Sequence, residues 1–467
     1  MEELTRKSNI HFEISERKIL LRIFDILSVV LGLVLVSNFF NFDYLSISPE
    51  NWYWIIVLLL YLTIFANIFE WYDLQRSSRL DQILPNVVLA TSITMLFYLL
   101  TPKLTPVLPE NRLQILYFFL SITIPVILWR FAYVFFISKP RFYKRVLLIG
   151  STYEVGVMYQ AIKETTPSIH IAGYINTEIG NKDSIALKDV RQLNDKNLKA
   201  LVKELGISEL IIASNESDEM AKKLFDDLID LLESGLPIRE YTQVYEELTN
   251  RIPVQYIGKD FYRYFPFSRS NQNKLYLFYH RFMDILLSVI GLTITLAILP
   301  LIFLGNLVGN RGPLFYTQTR VGKYGAPFQI YKLRSMVVDA EKEGVQWAQQ
   351  NDPRITAFGN FLRRSRLDEL PQLINVLKGE MSIIGPRPER PEFVEALSKE
   401  LPFYETRHVI KPGLTGWAQV SSDYGSSQED SLHKLQYDLY YIKHRSFFLD
   451  ASILVKTLST VLFFRGR

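Results

Sequence analysis

Long apolar runs dominate the first third of the chain. Four of them, at about residues 23–42, 52–69, 83–100 and 113–137, approach the roughly 20 residues a helix needs to cross a ~30 Å hydrocarbon layer. The first is too long and lies too far into the chain for a cleaved signal peptide. From Arg145 the pattern changes. Residues 146–150 form a short buried-strand pattern ending in glycine, and a helical stretch follows to Lys163. Residues 169–175 and 210–213 repeat the strand pattern, with a helix over 220–234. Strands alternating with helices predict a parallel, Rossmann-like sheet. A polar connector over 268–274 leads to a fifth apolar run, 282–308, which contains Pro300. Short polar motifs fill the rest, until a mostly apolar C-terminal stretch over 447–464 that reads as an interfacial helix.

The expected fold is that of a membrane protein of α plus α/β class. It comprises a four-helix transmembrane bundle (1–140), a Rossmann-like domain (141–262), a linker (263–280), a re-entrant membrane helix (281–308) and a mostly α domain (309–467). Flanking cations orient it. Arg6, Lys7, Arg17, Lys18 and Arg22 precede the first run, Arg76 and Arg79 follow the second, and Lys139, Arg141, Lys144 and Arg145 follow the fourth. The connection over 41–51 has no Lys or Arg, and the third has only Lys103 and Arg112. Both ends of the bundle are therefore expected on the cytoplasmic side. The fifth run has basic residues on both flanks, from Lys274 and Arg281 to Arg311, Arg320, Lys323, Lys332 and Arg334. A helix that dips in and returns, bent where Pro300 removes a hydrogen bond, reconciles the two flanks. Ser288, Thr293 and Thr295 are the expected partners for backbone groups freed at the break.

Charge and composition narrow the chemistry. Lys and Arg number 52 against 48 Asp and Glu, a net charge of +4, which argues against a nucleic-acid partner held by a broad cationic face. The absence of Cys excludes disulfides, thiolate metal sites and cysteine nucleophiles. In the α/β region, Gly150-Ser-Thr-Tyr-Glu-Val-Gly156 lacks the middle glycine of a dinucleotide loop. The second strand ends at Asn176 rather than an acid, and the Tyr159/Lys163 pair sits on the first helix, away from any nicotinamide. That domain reads as structural or regulatory.

The chemistry-bearing residues come later. Asp368 and Glu369 precede Pro371, a residue favoured in a helix's first turn, so both carboxylates are expected at a helix start. Two adjacent acids flanked by Arg363, Arg364 and Arg366 can attack phosphorus or hold a divalent cation. Arg387 lies between two prolines and Arg390 just before a third, so both are held with little backbone freedom, as phosphate recognition favours. Lys332 and Arg334 stand at a strand end. Together they describe a phosphate-rich substrate at a membrane surface.

Phe328-Gln-Ile-Tyr-Lys-Leu-Arg-Ser-Met336, Asp352-Pro-Arg-Ile-Thr356, Leu367-Asp-Glu-Leu-Pro-Gln-Leu373, Ile384-Gly-Pro-Arg-Pro388 and Lys411-Pro-Gly-Leu-Thr-Gly-Trp-Ala-Gln419 resemble the bacterial sugar transferases. These are monotopic phosphoglycosyl transferases acting on polyprenyl phosphate, and the whole chain resembles their large form. The resemblance implies a two-step exchange. Asp368 attacks the sugar-linked phosphorus of a UDP-sugar, and undecaprenyl phosphate then displaces the aspartate. It further implies Mg²⁺ at Glu369 with Asp368, or Glu369 as a base toward the lipid phosphate. Arg387, Lys332 and Arg334 hold phosphate, and the re-entrant helix breaks at Pro300. A homodimer in the bacterial inner (cytoplasmic) membrane, among its lipids and with the catalytic domain facing the cytoplasm, follows by analogy. Two rival readings are a membrane-anchored nucleotide-sugar dehydratase or epimerase using the α/β domain, and a non-enzymatic assembly scaffold.

Overall fold

The computed structural model describes residues 14–40, 42, 44–45, 51–69, 71–72, 74–78, 80–101, 103–137, 144–165, 169–176, 190–193, 198–212, 222–254, 273–340, 352–422 and 428–462. Most of the expected connector over 268–274, the strand end at Ala213, the helix start at Met220, and the cations Arg6, Lys7, Arg79, Lys139 and Arg141 lie outside them. The chain divides into two compact units, Met1–Thr249 and Asn250–Arg467.

In the first unit, α1 (Ile14–Phe39), α2 (Trp52–Ile68), α3 (Leu80–Leu99) and α4 (Arg112–Ala132) carry the four apolar runs. Helix α1 packs along α4, α4 along α3, and α3 along α2. Gly32 permits the first contact, since a Cβ there would strike the Ser121 carbonyl. Buried polar groups pair across the seams, as they must away from water. Arg130 meets Asp25 and donates to the Trp71 carbonyl at 3.2 Å, and Thr123 donates to Thr91 at 2.9 Å. Helix α1 and the α4 segment Arg112–Ile137 are long and apolar enough to cross a membrane, while Trp52–Ile68 and Ile83–Leu99 are shorter.

The α/β part follows with β1 (Lys144–Gly150), α5 (Thr152–Thr165), β2 (Ile169–Asn176), α6 (Leu198–Leu205), β3 (Glu209–Ile212), α7 (Lys222–Glu233), β4 (Ile238–Glu240) and α8 (Tyr241–Thr249). The strands pair in parallel in the order β2-β1-β3-β4, one wing of the expected architecture. Glu154 accepts from the Ser151 amide (3.3 Å) and hydroxyl (2.9 Å) at the start of α5. A carboxylate thus occupies the helix N-terminus where a dinucleotide's pyrophosphate would bind. Lys163 donates to the Tyr159 hydroxyl at 3.4 Å on an exposed helix face.

The second unit opens with residues 250–254, which sequence patterning placed in the α/β region; Ile252 and Val254 are buried in its core. Helix α9 (Lys274–Gly309) runs without interruption through Pro300. After it come the antiparallel hairpin β5 (Phe315–Val321)/β6 (Pro327–Leu333), α10 (Ala357–Arg364), a 3₁₀ helix (Leu367–Gln372), α11 (Leu373–Lys378), β7 (Ser382–Ile384), α12 (Pro391–Glu400), β8 (Gly413–Thr415), α13 (Trp417–Ser421), α14 (Gln428–His444) and α15 (Phe447–Leu462). This is the mostly α domain expected.

Two of its helices are inverted relative to a soluble amphipathic helix. Helix α9 turns Asp284, Ser288, Thr295, Ile302 and Asn306 inward, while Leu275, Phe278, Leu296, Leu301 and Val308 are each at least 70 % exposed. Asp284 accepts from the Ile383 amide (2.8 Å) and the Ser382 hydroxyl (2.9 Å). Arg281 donates to the carbonyls of Val376 and Leu377 at 2.7 and 2.8 Å, capping α11. At the other end Asn310 donates to the Arg334 carbonyl at 2.8 Å, and Gly305 and Gly309 lie against Phe358 of α10. Both ends of α9 are therefore fixed to the same unit. Thr293 and Thr295 bond carbonyls one turn back within the helix, and the Ser288 hydroxyl has no partner among the described residues. None of the three serves a break at Pro300. Helix α15 repeats the inversion: Asp450 accepts from Tyr276 and Tyr441 (2.8 and 2.9 Å) and Lys456 lies 4.6 Å from the Trp417 ring. Its Phe447 and Phe448 face outward. An apolar outer face on a polar-lined dock marks a surface for lipid or another apolar partner, and Lys274–Gly309 is long and apolar enough to cross a membrane.

Candidate active site

The two acids are fixed by the chain around them. Asn375 of α11 accepts from the Tyr331 amide (3.2 Å) and donates to the Gln329 carbonyl (2.7 Å), locking α11 to β6. Between α10 and α11, Arg366 adopts a left-handed backbone (φ 58°) and the chain closes into the 3₁₀ helix. The acids stand in its first turn with Pro371 inside it, and the α-helix begins only at Leu373. The expected helix start is present but tighter.

Asp368 and Glu369 are 7 % and 6 % exposed, yet their surroundings differ. Glu369 Oε1 accepts from Arg387 at 2.6 Å and from Lys332 at 3.4 Å, and Oε2 from Arg366 at 3.4 Å. Those cations outweigh burial and hold Glu369 well below the usual carboxylate range. Asp368 lines a cavity of about 480 Å³, and its Oδ1 is buried without a hydrogen-bond partner among the described residues. Burial, then the Glu369 charge, push its carboxyl up to about 6. Burial also lowers the Lys332 ammonium to about 8, despite the Glu369 charge. Adjacent acids with divergent ionisation suggest divided roles.

The same cavity is lined by Arg320, Arg363, Arg387, Arg390, Gln419 and Lys434, among others. The Arg363 Nη1 and Gln419 Nε2 atoms are buried without partners among the described residues. The cavity thus gathers Asp368, Lys332, Arg387 and Arg390. Arg334 also reaches its wall, but the guanidinium is committed to the carbonyls of Pro313 (2.7 Å), Met336 (3.0 Å) and Asn310 (3.2 Å). It clamps the end of β6 to the end of α9. Pro300 lies on α9 and is not among the residues lining the cavity.

Mg²⁺ requires near-octahedral oxygen coordination. Both Glu369 oxygens are already taken by cations, and no cluster of three or more His, Asp or Glu exists among the described residues. At the pair only Asp368 Oδ1 is without a partner among the described residues, so a divalent cation there would draw its remaining oxygens from substrate phosphate and water.

The Gly385-Pro-Arg-Pro388 and Lys411–Gln419 motifs prove to be one structure. Strands β7 and β8 pair in parallel. The Gly385 amide donates to Thr415 (2.9 Å) and the Gly413 amide to Pro386 (2.8 Å). A Cβ at Gly413 would strike the Gly385 backbone. Gly413→Ala is therefore expected to cost about 1–3 kcal/mol by overpacking, seen as a lowered melting temperature.

Sequence reading missed Arg407 and Asp438. Arg407 donates to Asp438 (2.7 Å), Tyr404 (2.7 Å) and the Arg387 carbonyl (3.0 Å), bracing the loop that presents Arg387. No local motif marks either residue.

Residues 275–464, nearly all of the second unit, match the family model described as bacterial sugar transferase. A putative undecaprenyl-phosphate N-acetylgalactosaminyl 1-phosphate transferase of Bacillus subtilis is 52 % identical over 141 residues, 30 % of this chain and 79 % of that protein. The chain belongs to the bacterial sugar transferase family. A UDP-N-acetylgalactosamine-undecaprenyl-phosphate N-acetylgalactosaminephosphotransferase of Aeromonas hydrophila is 37 % identical over 54 % of this chain and 59 % of its own length. A UDP-glucose:undecaprenyl-phosphate glucose-1-phosphate transferase of Escherichia coli is 42 % identical over 38 % of each chain. The match to these last two sugar transferases spans less than two thirds of their length.

Proposed function

We propose that this sugar transferase moves a hexose-1-phosphate from a UDP-sugar to undecaprenyl phosphate through a covalent aspartyl-phosphosugar. The reaction would begin a cell-surface polysaccharide on the cytoplasmic face of the bacterial inner membrane. The observation that carries the proposal is Asp368: a buried carboxylate with an unpartnered oxygen, lining a cation-walled cavity beside an acid that is fully engaged.

In the first step an Asp368 oxygen bonds to the sugar-linked phosphorus. The bond from that phosphorus to the bridging oxygen breaks, and its electron pair leaves with UMP. Arg387 and Lys332 offset charge developing on the phosphoryl oxygens. In the second step a lipid phosphate oxygen attacks the same phosphorus, and the bond to Asp368 breaks to restore the carboxylate. Glu369, saturated by cations and held deeply ionised, is a poor base; it organises Arg387, Lys332 and Arg366. Helix α10 links the site to lipid. Its Phe358 packs on α9, and its Arg363 lines the cavity.

The test uses the full-length protein in lipid nanodiscs with a panel of UDP-sugars. Without undecaprenyl phosphate, a matching donor should release UMP once per enzyme; with it, release should continue. A panel that yields no UMP under either condition defeats the proposal. The pH dependence should be bell-shaped. Activity rises as Asp368 ionises through about 6 and falls as Lys332 loses its proton through about 8. A flat rate between pH 5 and 9 would separate both groups from the chemistry.

A further inference from the structure

Phosphate-binding cations account for much of the cavity wall, but Gln419 is neutral and has a buried amide nitrogen with no partner among the described residues. A buried donor left unsatisfied is costly and uncommon in native structures. At a cavity wall it is best explained by a ligand acceptor. Gln419 belongs to α13, which follows β8 directly, and β8 is laced to the Arg387 loop by the Gly385 and Gly413 hydrogen bonds. A Cβ at Gly416 would strike the Gly385 carbonyl, so the loop and the helix start are in backbone contact. The position of Gln419 relative to Arg387 is therefore rigid.

Reaction geometry selects the acceptor. An in-line displacement puts the leaving group opposite the nucleophile. On the proposed reading the leaving group is UMP, whose base is the part farthest from the attacked phosphorus. The wall formed by α13 and α14 is tied to the acid pair through intermediaries: Asp438 holds Arg407, Arg407 holds the Arg387 carbonyl, and the Arg387 side chain reaches Glu369. We infer that Gln419 donates its amide to a carbonyl oxygen of the donor's pyrimidine base, and so reads the nucleotide.

This rests on the UDP-sugar reading above, and the experiment separates the two. Gln419→Leu removes the donor at similar size, and Gln419→Glu replaces it with an acceptor. Binding of UMP, UDP and the accepted UDP-sugar to full-length protein in nanodiscs should weaken by about tenfold in Gln419→Leu, equally for all three. Gln419→Glu should be at least as impaired, and the KM for UDP-sugar should rise with little change in kcat. Loss confined to UDP-sugar would assign Gln419 to the sugar and overturn the inference, as would unchanged binding of all three. Melting temperatures identify any misfolded variant. Unmodified protein supplies an arm free of that problem: ribose 5-phosphate should compete with UDP-sugar far more weakly than UMP, and equal competition would overturn base recognition. Wild-type protein that releases no UMP strikes the functional proposal; normal turnover with unaltered Gln419 variants strikes only this inference.

Discussion

Asp368→Asn is expected to lower UMP release by about 10³-fold or more while donor binding survives. The amide keeps the shape of the side chain but is a poor nucleophile toward phosphorus. Glu369 keeps its three cations in the variant, so the cationic wall stays in place. Loss should therefore appear in kcat, with KM equal or lower because one negative charge facing the diphosphate is gone. The stability effect runs the other way. Asp368 is held above its ordinary range by burial, so its ionised form is a cost to the fold above that pH and the cost is relieved as pH falls through about 6. The asparagine variant should melt higher than wild type at neutral pH, a usual trade between site chemistry and stability. UMP release, titration calorimetry with UDP and thermal melting together test this. Turnover within tenfold of wild type would place the nucleophile elsewhere.

The second large effect concerns the Arg407–Asp438 pair, whose side chains are 6 % and 2 % exposed. Asp438→Asn leaves a buried guanidinium without its counter-charge, at an expected cost of about 3–5 kcal/mol. Arg407 retains Tyr404 and the Arg387 carbonyl, which places the loss toward the lower end. Burial raises Asp438 to about 6 even with Arg407 beside it, so the pair itself is desolvated at some expense. Replacing both residues with apolar ones of similar volume, Arg407→Met with Asp438→Leu, should recover much of the melting temperature. Activity should stay low in that double variant, because the Arg387 carbonyl has lost its brace. Recovery of both properties together would mean that the pair does not position Arg387.

Some of this was legible in the chain order of residues. The apolar runs and the alternation after Arg145 are periodic signals, and they mark α1 to α4 and β1 to β3 closely. Asp368, Glu369, Lys332 and Arg387 stand in short motifs whose chemistry is local. Arg334 stood in the same kind of motif, but its three carbonyl partners come from segments on either side of it. Where a motif's charge finds its partners is not legible until the chain is folded. Pro300 marks a position where a bend is cheap, whereas the anchoring of its helix by Asp284 and Asn310 depends on partners distant in sequence.

By itself, then, the sequence determined where the chain is apolar, where it alternates, and which acids and arginines could handle phosphate, because periodicity and local chemistry need no partner. The tertiary structure alone decided which of two adjacent carboxylates keeps an unpartnered oxygen, since that depends on Lys332, Arg366 and Arg387 converging on Glu369. It also decided that the polar faces of α9 and α15 turn inward and their apolar faces outward. Composition cannot report direction; the side on which a helix finds its partners does.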